Sequence, residues 1–248
     1  MRKTCIICAI HQESSPILKG FTKARKSLVA GIPAWEIKSD GESIHLLQSG
    51  IGLNKAARTA QTAADLLRPD LIVSAGFCGA LFPGLETGDI IAAEKLYRYS
   101  SGILTQYPVS DSALPEIPIL NGHSGIRRGI FISSEDIVDK LLLISHIKHL
   151  ATPSTVLEME SWSISNVCRE RGIKFLAIRA VSDSAESDPA ELFRNICDND
   201  FNISLTKLSL LLLRNPLMIA PLFQLAKNAK IAGRCLADAV HQTLEQMK

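Results

Sequence analysis

From residue 4 onward, short runs of apolar and β-branched residues alternate with stretches of helical periodicity, a pattern that few architectures accept. Strand, helix and strand in succession build an α/β domain whose helices cover a largely parallel or mixed sheet. Thr4–Ile10 reads as a buried first strand, Glu13–Leu28 as a helix, and Trp35–Lys38 and Ser43–Gln48 as short strands. After the Ser49-Gly50-Ile51-Gly52 turn, residues Leu53, Ala56, Ala57, Ala60, Ala63, Ala64 and Leu67 hold the spacing of an amphipathic helix. Pro69 closes it, and Asp70–Ala75 reads as a central strand. Gly76, Gly79, Gly84 and Gly88 mark a glycine-rich connection to a strand at Asp89–Ala93, and residues 100–126, rich in Ser, Pro and Gly, read as an irregular excursion. Strands at Gly129–Ile132, Thr155–Leu157 and Phe175–Val181 then alternate with helices at Asp136–Leu150 and Ser161–Arg171. Beyond about residue 186 the strand signals stop, while Leu222, Leu225, Ala226, Ala229, Leu236 and Val240 keep helical spacing. The expected organisation is an α/β core over residues 1–186 and a C-terminal helical extension over residues 187–248, packed on the same domain.

Charge and cysteine usage narrow the function classes. Lys+Arg number 27 against 25 Asp+Glu, and no basic run exceeds Arg127-Arg128, so the electrostatic footprint of nucleic-acid binding is missing. The six cysteines are sparse and sit in apolar surroundings, which argues against a disulfide framework and for a reducing, cytoplasmic setting. Cys5 and Cys8 form a CxxC inside the first strand, but no second ligand pair follows, so no metal or other cofactor is expected. The first residues lack the long apolar core and cleavage site of a signal peptide. The longest apolar stretch, 205–225, is interrupted by Lys207, Arg214, Asn215, Pro216 and Pro221, which excludes a spanning helix.

Three polar clusters fall at strand ends, where open α/β sheets bind ligands: Glu13, Glu158-Met159-Glu160, and Arg179-Ala180-Val181-Ser182-Asp183. Singly, each has a plain alternative, a solvated first-turn Glu or an Asp capping a helix. Carboxylates converging at one sheet end would repel one another unless a substrate, water or Arg179 organised them.

The order of these motifs is informative. Ser49-Gly50-Ile51-Gly52, Pro69-Asp70 through Gly76-Phe77-Cys78-Gly79-Ala80-Leu81, Gly88-Asp89-Ile90, Glu158-Met159-Glu160-Ser161 and Arg179-Ala180-Val181-Ser182-Asp183 follow in sequence. Over roughly residues 4 to 186 this resembles the purine nucleoside phosphorylase and methylthioadenosine/S-adenosylhomocysteine nucleosidase superfamily. The resemblance implies a three-layer α/β/α fold with a mixed central sheet of the nucleoside phosphorylase type, and cleavage of an N-ribosidic bond. That reaction passes through an oxocarbenium-like transition state with an electron-poor ribose and an electron-rich departing base. Carried over by position, Asp183 is the general acid to the purine, Glu160 accepts hydrogen bonds from the ribose hydroxyls, and Met159 lies against the ribose face. Glu13 orients or deprotonates the attacking water, and Arg179 steadies Glu13 and Glu160 or an anionic nucleophile.

Water and phosphate are both open as the nucleophile. The loop Ile10–Ser15 contains no arginine to hold a phosphate dianion, which favours hydrolysis. Two positions depart from the family: Phe77 stands where many relatives have a serine, and Ile137 where nucleosidases often carry the aromatic that stacks on the purine. Both motivate the alternative of a non-catalytic nucleoside-binding protein. The Leu-rich tail Ser204–Leu217 resembles hopanoid-associated members, whose substrate is adenosylhopane, a lipid-linked nucleoside. Such a tail could cover a lipid chain, rest on a membrane surface, or serve as core or dimer interface. The resemblance also implies a homo-oligomer. A dinucleotide-binding loop at Gly50 and Gly52 is a weaker reading, because Lys55 replaces the third glycine of the fingerprint.

Overall fold

A strand buried on both faces can be apolar without interruption, and β1 (Arg2–Cys8) fills that position between β4 (Glu42–Gln48) and β5 (Leu71–Ala80), parallel to both. The structure is a computed structural model and describes residues 2–39, 42–106, 125–198, 200–201 and 204–247. Residues at odd spacing in a strand point to opposite faces. Cys5 therefore enters one hydrophobic core and Cys8 the other, so the CxxC pair does not converge. Among the described residues no group of three His, Cys, Asp or Glu side chains is arranged to hold a metal ion.

The sheet does not stay open. β10 (Lys174–Asp183) runs parallel to β5 and antiparallel to β6 (Ile90–Ser100). From β6 the pairing passes through β8 (Ile126–Ser134) and β9 (Thr155–Glu158) back to β5, closing these five strands into a ring. β1, β4 and the hairpin of β2 (Ala24–Val29) and β3 (Ile32–Ser39) extend the sheet from β5. Closure depends on close backbone approach at Gly129, where a side chain would run into the Ser154 carbonyl.

Helices cover both faces. α2 (Leu53–Thr62) and α4 (Ser161–Arg171) set Ala56, Ala60, Ile164 and Val167 into one core. α1 (His11–Lys19) and the long α7 (Ile219–Gln246) set Ile17, Ala232, Leu236 and Val240 into the other. Gly233 lets α7 lie close on α1, since a Cβ there would come 2.9 Å from the Gln12 carbonyl. The terminal helix thus braces α1 and β10, which carry Glu13 and Asp183. α5 (Ala190–Ile196), α6 (Leu205–Arg214) and the first half of α7 make a small satellite core of their own from Leu192, Ile196, Leu208, Leu211 and Leu222. Among the described residues no helix is long and apolar enough to cross a membrane.

The layered α/β architecture with a helical extension is as expected, and several local elements differ. The helix expected over Glu13–Leu28 ends at Lys19, and its second half is β2, because Ala30 and Gly31 turn the chain with positive φ and pair it with β3. The glycine-rich connection starts later than expected, for β5 runs through Gly76 and Gly79. β7 (Ile103–Gln106) pairs with β6 inside the stretch expected to be irregular; residues 107–124 of that stretch lie outside the described residues. The helix expected from Asp136 begins at Lys140 as α3 (Lys140–Ile147), capped by the side chain of Asp139.

Candidate active site

Ring closure brings the ends of β1, β5, β9 and β10 to one side, and a cavity of about 220 Å³ opens there. Glu13, Phe77, Ile137, Met159, Glu160 and Asp183 all line it; Arg179 does not, and lies buried behind them. The carboxylates singled out from the sequence, up to 170 positions apart, therefore share one hollow.

Glu13 sits in the first turn of α1 and turns back on the backbone. Its Oε2 accepts from the N–H groups of Ala9 and Ile10 at 2.8 and 3.1 Å, and its Oε1 from Phe77 N–H at 2.8 Å. Position 76 accommodates this only as glycine, since a Cβ there would stand 2.8 Å from Oε1. Burial pushes the Glu13 carboxyl above its ordinary range, against the pull of Arg179 and the three backbone donors. Phe77 gives the site its backbone N–H; its ring packs with the core beneath α7, beside Gly233.

Arg179 is 1% exposed and is the cation paired with the buried Glu158 and Glu160 carboxyls. Its Nη1 donates to the carbonyls of Ser74 and Ile178 at 3.0 and 3.2 Å, and its Nη2 to Ser74 Oγ at 3.1 Å and Glu158 Oε2 at 2.6 Å. Glu160 Oε2 is 3.5 Å from the same Nη2. Burial works against the guanidinium charge, but Glu158, Glu160 and Glu13 outweigh it and raise the Arg179 pKa. Its tightest partner is thus Glu158, with Glu13 acting at longer range.

The two glutamates of the triplet are not equivalent. Glu158 spends its oxygens on structure: Oε2 accepts from Arg179 and from the backbone N–H of Glu160 and Ser161, and Oε1 from the Ser133 hydroxyl. Glu160, at the start of α4, reaches across to the glycine turn, where Oε1 accepts from Gly52 N–H at 3.0 Å. Gly50 and Gly52 have φ of +83° and +106°, so the loop that presents this N–H is open only to glycine. Burial and the neighbouring Glu158 push the Glu160 carboxyl up to about 8, against Arg179.

That shift has a sign in stability. A carboxyl whose folded pKa exceeds its unfolded one favours the fold while protonated, a contribution fully present below the unfolded value of 4.5 and lost as pH rises through about 8. The melting temperature is expected to fall between about pH 5 and 8. Glu160→Gln, an uncharged isostere, should melt at least about 3 °C higher relative to wild type at pH 8 than at pH 5, as calorimetry can check. An unchanged difference between the two pH values would show that Glu160 is not a buried, proton-holding group.

Asp183 closes β10. Its Oδ1 accepts from Ser182 Oγ at 2.7 Å, and its Oδ2 lies 2.6 Å from the ammonium of Lys140. Burial raises its pKa, with Lys140 and the Ser182 hydrogen bond pulling the other way. Lys140, 3% exposed, was missed by sequence reasoning, although a signal existed. A lysine in the first turn of a helix faces the positive end of the macrodipole and needs another reason to be there. Met159 and Ile137 give the cavity apolar wall. Phe193, Cys197 and Phe201, from α5 and the turn after it, add further apolar lining from the helical extension.

A pocket lined by several carboxyls and apolar side chains can protonate one part of a bound molecule while accepting hydrogen bonds from another. Comparison with known proteins leads to the same place. A family model described as the phosphorylase superfamily matches residues 3–213. The 5'-methylthioadenosine/S-adenosylhomocysteine nucleosidase of Haemophilus influenzae (strain PittEE) is 31% identical over 201 residues, 74% of this chain and 87% of the relative. Among solved structures, the nucleosidase of the same name from S. pneumoniae, bound to a transition-state inhibitor, superposes with a TM-score of 0.73 at 18% identity, covering 99% of this chain and 100% of that one. Futalosine hydrolase of Helicobacter pylori strain 26695 superposes with a TM-score of 0.68 at 16% identity, covering 99% and 98%. With most of its length matched by the family model and by a relative of this identity, the chain belongs to the phosphorylase superfamily of enzymes.

Proposed function

We propose that the protein hydrolyses the N-glycosidic bond of a purine nucleoside, most simply an adenosine bearing a 5'-substituent, with Asp183 as general acid. The observation that carries this reading is that Asp183, Glu160 and Glu13, from separate parts of the chain, line one cavity. As the C1'–N9 bond breaks, its electron pair passes to the purine and a proton moves from Asp183 to the imidazole-side nitrogen. Glu160 accepts from the ribose hydroxyls, which favours its ionised form and places negative charge beside the oxocarbenium. Glu13 orients the water whose oxygen forms the new bond to C1' and whose proton it receives. Arg179 holds the acidic wall together from behind, and Met159 and Ile137 pack against sugar and base. Relatives support the chemistry: those named above are described as 5'-methylthioadenosine/S-adenosylhomocysteine nucleosidases and a futalosine hydrolase.

Hydrolysis is favoured over phosphorolysis because the 10–15 loop offers no arginine, and the Nη donors of Arg179 are committed to Ser74, Ile178 and Glu158. For the 5' side we propose a large apolar group, of which adenosylhopane is the instance suggested by the tail. Support comes from the apolar wall of Phe193, Cys197 and Phe201, and from exposed Leu213, Leu217, Ile219 and Phe223 on the extension. Between residues 201 and 237 there are five basic side chains and no acidic one, a composition suited to an anionic lipid surface. The extension is read as part of the same domain, and the protein as a cytoplasmic homo-oligomer that touches the membrane surface.

The test is release of free base, followed chromatographically, from methylthioadenosine, S-adenosylhomocysteine, inosine and an adenosine with a long apolar 5'-group, each with and without phosphate and with anionic vesicles. Turnover independent of phosphate is expected, with kcat/KM at least about tenfold higher for the apolar substrate than for inosine, the scale of one or two buried methylenes. Tight binding of intact nucleoside with no free base would instead establish a binding protein.

A further inference from the structure

Lys140 has no part in the reaction as written, yet its placement is costly. An ammonium in the first turn of α3 meets the positive end of the helix dipole, and it is buried besides. What offsets this is a complete set of acceptors. Nζ pairs with Asp183 Oδ2 at 2.6 Å and donates to the carbonyls of Ser184 and Ser187 at 2.8 and 2.7 Å. An ammonium has three protons, so none is left for a ligand. The backbone N–H of Lys140 also donates to Asp188 Oδ2 at 2.8 Å, and Asp188 Oδ1 accepts from Ala190 N–H at 3.0 Å. One residue therefore ties α3 to the whole segment from the end of β10 to the start of α5.

We propose that Lys140 is a positioning residue for the proton donor: it fixes the Asp183 carboxyl and the 184–188 turn beside the cavity, and sets the pH at which that carboxyl keeps its proton. The proposal rests on the nucleosidase reading only in naming Asp183 the donor. The charged and titratable groups around Asp183 are Lys140 from α3, Asp188 from the turn, and Cys78 from β5, a thiol that burial keeps neutral. Asp188 and burial favour the protonated carboxyl; Lys140 alone among them favours the anion. An anionic Asp183 takes one proton from solvent, passes it to the base nitrogen, and returns to its pairing with Lys140, so each turnover starts from the same state.

Removing the cation should leave Asp183 protonated to higher pH. In infrared difference spectra taken against Asp183→Asn, the protonated-carboxyl band should persist about one pH unit or more further in Lys140→Gln than in wild type. Lys140→Arg, which keeps the charge, should titrate like wild type. The high-pH limb of kcat/KM should move in step with the band, while kcat in Lys140→Gln falls through lost positioning and recovers in Lys140→Arg. Lys140→Met repeats the measurement with a side chain that needs no partner, should the glutamine variant not fold. A band that titrates alike in wild type and in the neutral variants overturns the proposal, whatever happens to the rate. Absence of free-base release by wild type would instead strike the nucleosidase reading and leave the spectroscopic result standing on its own.

Discussion

Asp183→Asn should slow release of the free base by about 10²–10⁴-fold, the usual contribution of a positioned general acid, with KM little changed. Asparagine has nearly the shape of aspartate, and its carbonyl oxygen can still accept from Ser182 or Lys140, so the end of β10 should keep its geometry. What it cannot do is surrender a proton to a leaving purine. The separation of effects follows from the proposed roles, in which Asp183 would meet the base as charge develops on it, while Glu160 and the apolar wall would already hold the ground-state nucleoside. The measurement is a single-turnover assay of base release on protein whose melting curve matches wild type. A folded variant that releases base from every 5'-substituted adenosine at the wild-type rate would remove Asp183 from the chemistry.

Arg179→Met should lower stability by about 3–5 kcal/mol, the range for breaking a buried ion pair from one side. The side chain is among the largest fully buried in the molecule, and three acidic groups, Glu158, Glu160 and Glu13, depend on its charge. Methionine keeps much of the volume but leaves Glu158 with a desolvated carboxyl and no cation. Burying that charge unpaired, rather than losing the attraction itself, is the larger cost. Arg179→Met combined with Glu158→Gln should recover part of the loss, because it removes the charge that was orphaned. Urea unfolding of the four proteins in this cycle would show it as a lower midpoint at constant slope for the single variant and a partial return for the double one. A single variant as stable as wild type would mean that the acidic cluster does not need its arginine.

Much of the scaffold could be read from residue patterns. The stripe from Leu53 to Leu67 is α2 with one further wide turn, and the apolar runs at residues 4–8, 71–75 and 175–181 are strands buried on both faces. Patterns failed where a local signal was ambiguous. Residues 24–29 carry no strong alternation and read as helix until the hairpin turn at Ala30-Gly31 is taken into account. At the site, Glu13, Glu160 and Asp183 were legible because they follow strands and stand in an order that resembles a family. Lys140 and the division of labour between Glu158 and Glu160 were not, since both depend on which atoms meet across elements.

Residue order along the chain thus determined the layered α/β core, the helical end and the acidic residues at strand ends, because burial periodicity and turn chemistry act over a few neighbours. Tertiary structure alone decided that β10 pairs with both β5 and β6 and closes a ring. It also decided that Arg179 spends itself on Glu158, and that a lysine from α3 reaches Asp183. The physical reason is that charge pairing and ring closure depend on distances between segments more than 20 residues apart, and such distances are set by packing, to which no local pattern is sensitive.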